Sequence, residues 1–165
     1  MHDKLSIVPV NGDNKDVFNR LMQNYEAEFS SITNKMPGPD AVFPLDTFLD
    51  DDHIGYLAYQ GDTPVGFNVI AVKEHGEAFE VCEFYIIPVC RMRKLGYELA
   101  ASIFDLHRGN WEVKQIEGAD NARAFWRKTI SQYTQGAYSD ENYTDLYWGP
   151  VTRQQFCNSP QQETP

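Results

Sequence analysis

The sequence predicts an α/β protein built on one mixed, mostly antiparallel sheet of six to seven strands flanked by about four helices. Three observations carry this expectation. The hydrophobic period changes from helical spacing to alternation and back along the chain. Three strand-like segments follow one another between residues 53 and 88, separated only by short turns. A strand, a helix and a second strand then succeed each other between residues 78 and 117, a βαβ passage for which right-handed crossover and parallel pairing are expected.

Taken in order, "LSIVPV" (5–10) reads as a first strand, and "NGDNKD" supplies turn and capping residues before a helix from about Asn14 to Phe29. Phe18, Leu21, Met22, Tyr25 and Phe29 fall at spacings of three and four, giving that helix one apolar stripe. Asp16 suits the positive end of its dipole. "KMPGPDAVFP" carries three prolines and a glycine in ten positions and cannot continue a helix, so it is read as a loop, followed by a short helical piece at "LDTFLDDD". "HIGYLAYQ", "VGFNVIAVKE" and "AFEVCEFYIIP" are the three meander strands, with turns at "GDTP" and "HGE". "RKLGYELAASIFDLHRGN" returns to helical spacing through Leu95, Leu99, Ile103, Phe104 and Leu106, and stops at Gly109. "WEVKQIE" alternates as a strand, and "DNARAFWRKTISQY" is a helix with Asp120 as its N-cap. "YTDLYWGPVTRQQF" holds one or two last strands. The chain is expected to form a single domain over residues 1–156 and a disordered polar tail over 157–165.

Composition narrows the function classes. With 14 basic against 24 acidic residues the formal charge is −10, which argues against a nucleic-acid surface and favours cationic partners, or else serves solubility alone. No apolar run reaches the roughly 18 residues that a membrane span needs, and the N-terminus lacks a signal-peptide layout, so a cytoplasmic protein is expected. Three cysteines in no ligand spacing give no metal site.

Against that acidic background, "EFYIIPVCRMRKLGYELA" (83–100) places Arg91, Arg93 and Lys94 where a strand feeds a helix. The first N–H groups of a helix lack intrahelical partners and face outward with the positive end of its dipole, so cations there oppose the dipole unless an anion sits between. Phosphate is the usual guest of such an end. The alternative is three solvated side chains on a helix start.

These residues resemble motif A of the GNAT N-acetyltransferases, in which a strand ends near a proline and a loop of form (R/Q)-x-x-G-x-(G/A) wraps the pyrophosphate of acetyl-CoA. Arg91, Met92, Arg93, Lys94, Leu95 and Gly96 stand in that register, with Tyr97 following. "GNWEVKQIEGADNARAFWRKTISQY" is similar to the fifth strand and following helix of the family, particularly in a bacterial subgroup with W-E-V and A-x-x-F-W-R, and the likeness spans about residues 5–156. The sequence departs from the pattern at three places. Lys94 replaces the middle glycine of the loop, Ala119 stands where an asparagine is common with Asn121 two positions on, and Trp126 replaces the tyrosine that often protonates the departing thiolate.

The resemblance implies an acetyl-CoA-dependent transfer of an acetyl group to a primary amine of a small molecule or peptide, direct and without an acyl-enzyme. It implies that the strand ending at Ile86 and Ile87 supplies a backbone N–H to the thioester oxygen. Asn121 and Trp126 are carried over as further acetyl-CoA contacts. Two carboxylates compete for general base. Glu83 interrupts an apolar run and is either a base of raised pKa or a structural carboxylate, while Glu80 fits a base position of some relatives or faces solvent; strand alternation puts the two on opposite sides of the sheet. Tyr133, like Tyr85, is a candidate proton donor or a core aromatic. A second expectation of a different class is a GNAT-like domain that binds acyl-CoA with weak or no turnover. No nucleic acid, membrane or metal is expected, and the final strands invite homodimer pairing.

Overall fold

The computed structural model describes residues 4–160. Its elements run β1 (Leu5–Pro9), α1 (Lys15–Thr33), β2 (His53–Gln60), β3 (Thr63–Lys73), β4 (Ala78–Ile86), α2 (Leu95–Leu106), β5 (Asn110–Ile116), α3 (Asp120–Thr134), β6 (Ser139–Asp145) and β7 (Gly149–Cys157). Seven strands form one mixed sheet in the order β1-β2-β3-β4-β5-β7-β6. β4 and β5 pair in parallel, as the βαβ passage predicts, while β1–β2, β2–β3, β5–β7 and β6–β7 are antiparallel. The chain divides into two compact units, one drawn from Met1–Ala71 and Cys82–Leu99, the other from Val72–Val81 and Ala100–Pro165.

In the first unit α1 lays Phe18, Leu21 and Met22 into a core with Leu57, Phe67, Val69 and Tyr85. Phe67 is fully buried and meets Phe18 edge-on, with ring centroids 5.4 Å apart. The helix runs to Thr33 rather than Phe29, because nothing in "SSIT" breaks it before Asn34 takes the left-handed conformation (φ 58°) that closes it. Gly66 of β3 is required sterically: a Cβ there would stand 2.4 Å from the Tyr85 carbonyl oxygen, so only glycine lets β3 approach the end of β4 this closely.

The expected short helix at "LDTFLDDD" is absent, and α1–α3 are the α-helices of the described residues. Local side-chain bonding competes with helix formation there. Asp50 Oδ1 accepts the Asp52 N–H at 2.9 Å and bonds His53 Nδ1 at 2.8 Å. Asp46 is drawn to Lys35 and Thr47 to Glu83, so the segment is spent on long-range partners.

In the second unit Phe104 of α2 is the hub, with ring centroids 4.8 Å from Trp111, 4.9 Å from Phe156 and 5.1 Å from Tyr133. Burying a side chain of this size contributes about 1.5–3 kcal/mol. Gln115 and Gln154 exchange reciprocal amide hydrogen bonds of 2.7 and 2.9 Å inside this core, which satisfies two side chains that the alternation of β5 and β7 points inward. β6 begins at Ser139, earlier than hydrophobicity indicates, because "SDEN" is exposed on both faces and shows no alternation. The tail is ordered further than expected. β7 reaches Cys157, and Asn158 accepts the Gly109 N–H at 2.9 Å while donating to the Phe104 carbonyl at 2.8 Å. The remainder of the expected disordered tail, from residue 161 on, lies outside the described residues.

Candidate active site

β4 carries both candidate carboxylates, Glu80 and Glu83. Its side chains alternate in burial, so Phe79, Val81, Glu83 and Tyr85 turn inward while Glu80 and Cys82 are only half-buried. Glu83 is 9 % exposed. Burial pushes its carboxyl up to about 7 and the neighbouring charges of Glu26 and Asp46 add to the rise, against hydrogen bonds from Tyr25 and Thr47 that favour the anion. The Thr47 hydroxyl donates to Glu83 Oε1 at 3.0 Å. The Tyr25 hydroxyl is held well above its ordinary pKa by burial and by Glu83, so it stays protonated and has a proton to donate to the Glu83 carboxylate. Asn68 donates to the Glu83 backbone carbonyl at 2.9 Å, fixing the strand beneath the carboxyl.

Behind this group lies an ammonium cage of the protein's own. Lys35 Nζ reaches Glu26 Oε2 at 2.9 Å, Asp46 Oδ2 at 2.7 Å and the Pro44 carbonyl at 3.0 Å. Its carboxylate partners raise its pKa against the opposing effect of burial, so it remains a cation. Glu26 and Asp46 are thereby paired with a cation, and Glu83 is the buried acid of the group whose side-chain donors among the described residues are hydroxyls.

Below β4 the chain turns through Pro88–Cys90 and a four-residue loop into α2. Ile87 N–H is committed to the Val65 carbonyl at 2.9 Å. Successive N–H groups of a strand point in opposite directions, so the Ile86 N–H is directed away from β3. The parallel ladder with β5 joins Ala78–Val81 to Asn110–Val113 and ends there, although β4 runs on to Ile86. Met92 (φ 69°) and Lys94 (φ 63°) both take the left-handed conformation. Lys94 therefore has the backbone shape that the expected glycine would adopt, at the cost that a side chain imposes there. The loop is exposed from Arg91 to Lys94, Leu95 is buried, and Gly96 and Tyr97 are half-buried at the start of α2. The Arg93 and Lys94 side chains make no hydrogen bond or ion pair among the described residues, while the Lys94 carbonyl accepts the Glu98 N–H at 3.1 Å. Arg91 is engaged: its Nε donates to the Ile86 carbonyl at 2.9 Å, its Nη2 pairs with Glu28 at 2.8 Å, and its guanidinium lies 5.6 Å from the Tyr85 ring centre.

The other predicted site residues belong to the second unit. Glu80 is ion-paired to Lys73 and to Lys114, the latter at 3.4 Å. Tyr133 donates to Asp105 at 2.7 Å and accepts from Asn158 at 3.2 Å, within the Phe104 cluster. Trp126 is buried, its ring 5.0 Å from Phe125 and 6.4 Å from Phe104, whereas Asn121 is exposed in the first turn of α3. Among the described residues no group of three His, Cys, Asp or Glu side chains is placed to hold a metal ion, and no helix is long and apolar enough to cross a membrane.

Sequence reasoning missed Tyr25 and Thr47 as partners of Glu83. Tyr25 was legible only as one member of an apolar stripe; its hydroxyl, which needs a partner once buried, was the available signal. Thr47 lies in the segment misread as helix.

No family model matches the sequence, and no curated protein matches it. Solved structures do resemble it. An acetyltransferase from Thermus thermophilus superposes with a TM-score of 0.65 at 21 % identity, covering 95 % of this chain and 99 % of that one. The ribosomal-protein-S18-alanine N-acetyltransferase from Escherichia coli gives 0.63 at 10 % identity, with 98 % and 99 % covered. Arabidopsis thaliana Naa50, in complex with the bisubstrate analogue CoA-Ac-MVNAL, gives 0.60 at 14 % identity, with 92 % and 97 % covered. The motif A register at residues 91–96, the strand order and these superpositions converge, and the chain has the fold of the GNAT acetyltransferases.

Proposed function

We propose that this protein is an acetyl-CoA-dependent N-acetyltransferase that moves an acetyl group directly to a primary amine of a small molecule or peptide, with Glu83 as general base. The observation that carries the proposal is the environment of Glu83: a buried carboxyl, raised to about 7, whose side-chain partners are the hydroxyl donors Tyr25 and Thr47. A base of that pKa is half ionised near neutrality, where general-base catalysis is most effective. Glu83 would take a proton from the incoming ammonium, directly or through one water. The freed lone pair would form the C–N bond to the acetyl carbon as the thioester C–S bond breaks, the nitrogen would lose its second proton to solvent to give the neutral amide, and the thiolate would take a proton from solvent.

When bound, acetyl-CoA supplies the activated thioester. The residues present suit its pyrophosphate: the first turn of α2 has free N–H groups, Met92 and Lys94 shape the loop with left-handed backbones, and Arg93 and Lys94 are cations with no partner among the described residues. The Ile86 N–H, directed away from β3, is the donor on β4 best suited to the thioester oxygen. Arg91 would serve a phosphate only by exchanging Glu28 for it.

That last contact favours a second reading, a GNAT-like domain that binds acyl-CoA with little turnover. Calorimetry with CoA and thiol release across a panel of amines separate the two. Binding with amine-dependent thiol release, lost in Glu83→Gln, supports the enzyme; binding without release supports the second reading; no binding at high micromolar CoA removes both.

A further inference from the structure

The loop over residues 34–52 joins α1 to β2 and carries Thr47 to Glu83 without forming a helix or strand of its own. We propose that Lys35 is the positioning residue of this site: its ammonium pins the loop to α1, and so sets where the Thr47 hydroxyl and the carboxylates of Glu26 and Asp46 stand around Glu83. The catalytic meaning of the pin rests on the reading of Glu83 as general base; the pin itself does not.

Asn34 closes α1 in the left-handed conformation and turns the chain back on the helix. Lys35, the next residue, thereby reaches Glu26, nine positions earlier, at 2.9 Å, and with the same Nζ holds Asp46 at 2.7 Å and the Pro44 carbonyl at 3.0 Å. An ammonium has three protons to give, and all three are used. Gln23 of α1 adds a second clamp, accepting the Phe43 N–H at 2.8 Å and donating to the Phe43 carbonyl at 3.0 Å, while Leu45 and Leu49 pack on the core beneath. Thr47 follows Asp46 directly, so the pinned part of the loop is the part that delivers a hydroxyl to Glu83 Oε1. Glu26 is only 4 % exposed, and its ion-pair partner among the described residues is Lys35. Burying a charged pair costs desolvation that apolar side chains would avoid, and the best-attested use of such a pair is to fix a register. Here the register is that of the loop against Glu83. The titratable groups facing Glu83 are Tyr25 and Glu26 from α1 and Asp46 from the loop, and β3 contributes the uncharged Asn68 at its backbone carbonyl. Removing Lys35 frees Asp46, whose side chain is 54 % exposed, lets Thr47 leave with it, and strips Glu26 and Asp46 of their cation. Each change disfavours the Glu83 anion. Asparagine at position 46 does the opposite, because its amide oxygen still accepts from Lys35 while one negative charge beside Glu83 is gone.

The test is the titration of the Glu83 carboxyl by carbon NMR, on the full chain labelled at the glutamate carboxyl carbons and with the signal assigned by its loss in Glu83→Gln. This readout needs no acceptor amine. Lys35→Met should move the Glu83 midpoint up by about half a pH unit or more, Thr47→Val should also move it up, and Asp46→Asn should move it down. Lys35→Arg, which keeps the charge, should shift it less than Lys35→Met. A merely structural lesion would not split these variants by sign. Thiol release from acetyl-CoA should follow the midpoint: in Lys35→Met, kcat/KM is expected to fall about threefold or more near pH 6 and to return toward the parent value above the limb, rather than drop at every pH. Circular dichroism checks that each variant is folded, and Lys35→Gln, which keeps a donor for the buried Glu26, decides the matter should Lys35→Met unfold. A Glu83 midpoint indifferent to loss of the Lys35 charge, or moved the same way by Lys35→Met and Asp46→Asn, overturns the proposal. A midpoint that follows Lys35 while the pH dependence of thiol release does not upholds the pin and removes Glu83 as the base.

Discussion

Glu80 and Glu83 stand three residues apart on one strand, and their surroundings are opposite in kind. Glu80 points where Lys73 and Lys114 wait for it, in a network that also holds Glu112, and its two carboxylate oxygens are taken up by these two ammonium partners. Glu83 points into the first unit, where Lys35 is already taken by Glu26 and Asp46. A carboxyl that burial has raised to about 7, with hydroxyls to steady its anion, is a good proton acceptor near neutrality. Residue type and spacing are the same in kind at both positions; the partner decides between them.

The largest test of this contrast is kinetic. Glu83→Gln should lower kcat/KM for amine acetylation about 10²–10⁴-fold, while Glu80→Gln stays within a few-fold, both read by thiol release. A collapse in Glu80→Gln with activity kept in Glu83→Gln would invert the assignment.

The second is a dependence on pH with a definite sign. Only the ionised Glu83 accepts a proton, so kcat/KM should climb as pH rises through about 7 and level off, and Glu83→Gln should lack that limb. Stability runs the other way. The folded carboxyl keeps its proton up to about 7 while the unfolded one loses it near 4.5, so folding stability is fully present below 4.5 and falls as pH rises through that window. At 1.36 kcal/mol per unit the loss is about 3 kcal/mol, and urea denaturation of Glu83→Gln should be nearly flat across the same interval.

Smaller effects sharpen the other side. Glu80→Gln should cost about 1 kcal/mol in a urea melt, less at high salt, because its pairs are partly exposed and screened. Lys94→Gly should raise stability by about 0.5–1 kcal/mol by relieving the left-handed backbone at φ 63°. A loss in that melt would mean that the Lys94 side chain is held by something other than its own backbone.

Much of the fold was readable in the chain, for reasons that are local. The stripe of Phe18, Leu21 and Met22, the alternation of β4 and β5, and the stop at Gly109 are periodicities of one or two turns and need no tertiary knowledge. The junction at residues 88–96 was readable for the same reason, since a strand, a proline, a run of cations and a glycine are contiguous. Segments whose order depends on distant partners were not. "LDTFLDDD" looks helical until Lys35 and Glu83 claim Asp46 and Thr47, and "SDEN" carries no alternation because β6 is an exposed strand paired to β7. That β7 enters between β5 and β6 is likewise a decision of the sheet.

The site divides along the same line. Contiguous residues alone established a strand feeding a helix N-terminus with cations beside it, and that one of two carboxylates on the strand interrupts an apolar run. Which carboxylate is buried with a raised pKa, that Tyr25 and Thr47 hydrogen-bond to it, and that Arg91 is tied to Glu28 were decided only in three dimensions. The physical reason is that pKa and ion pairing depend on burial and on charges brought together from segments tens of residues apart, and neither quantity exists until the chain has folded.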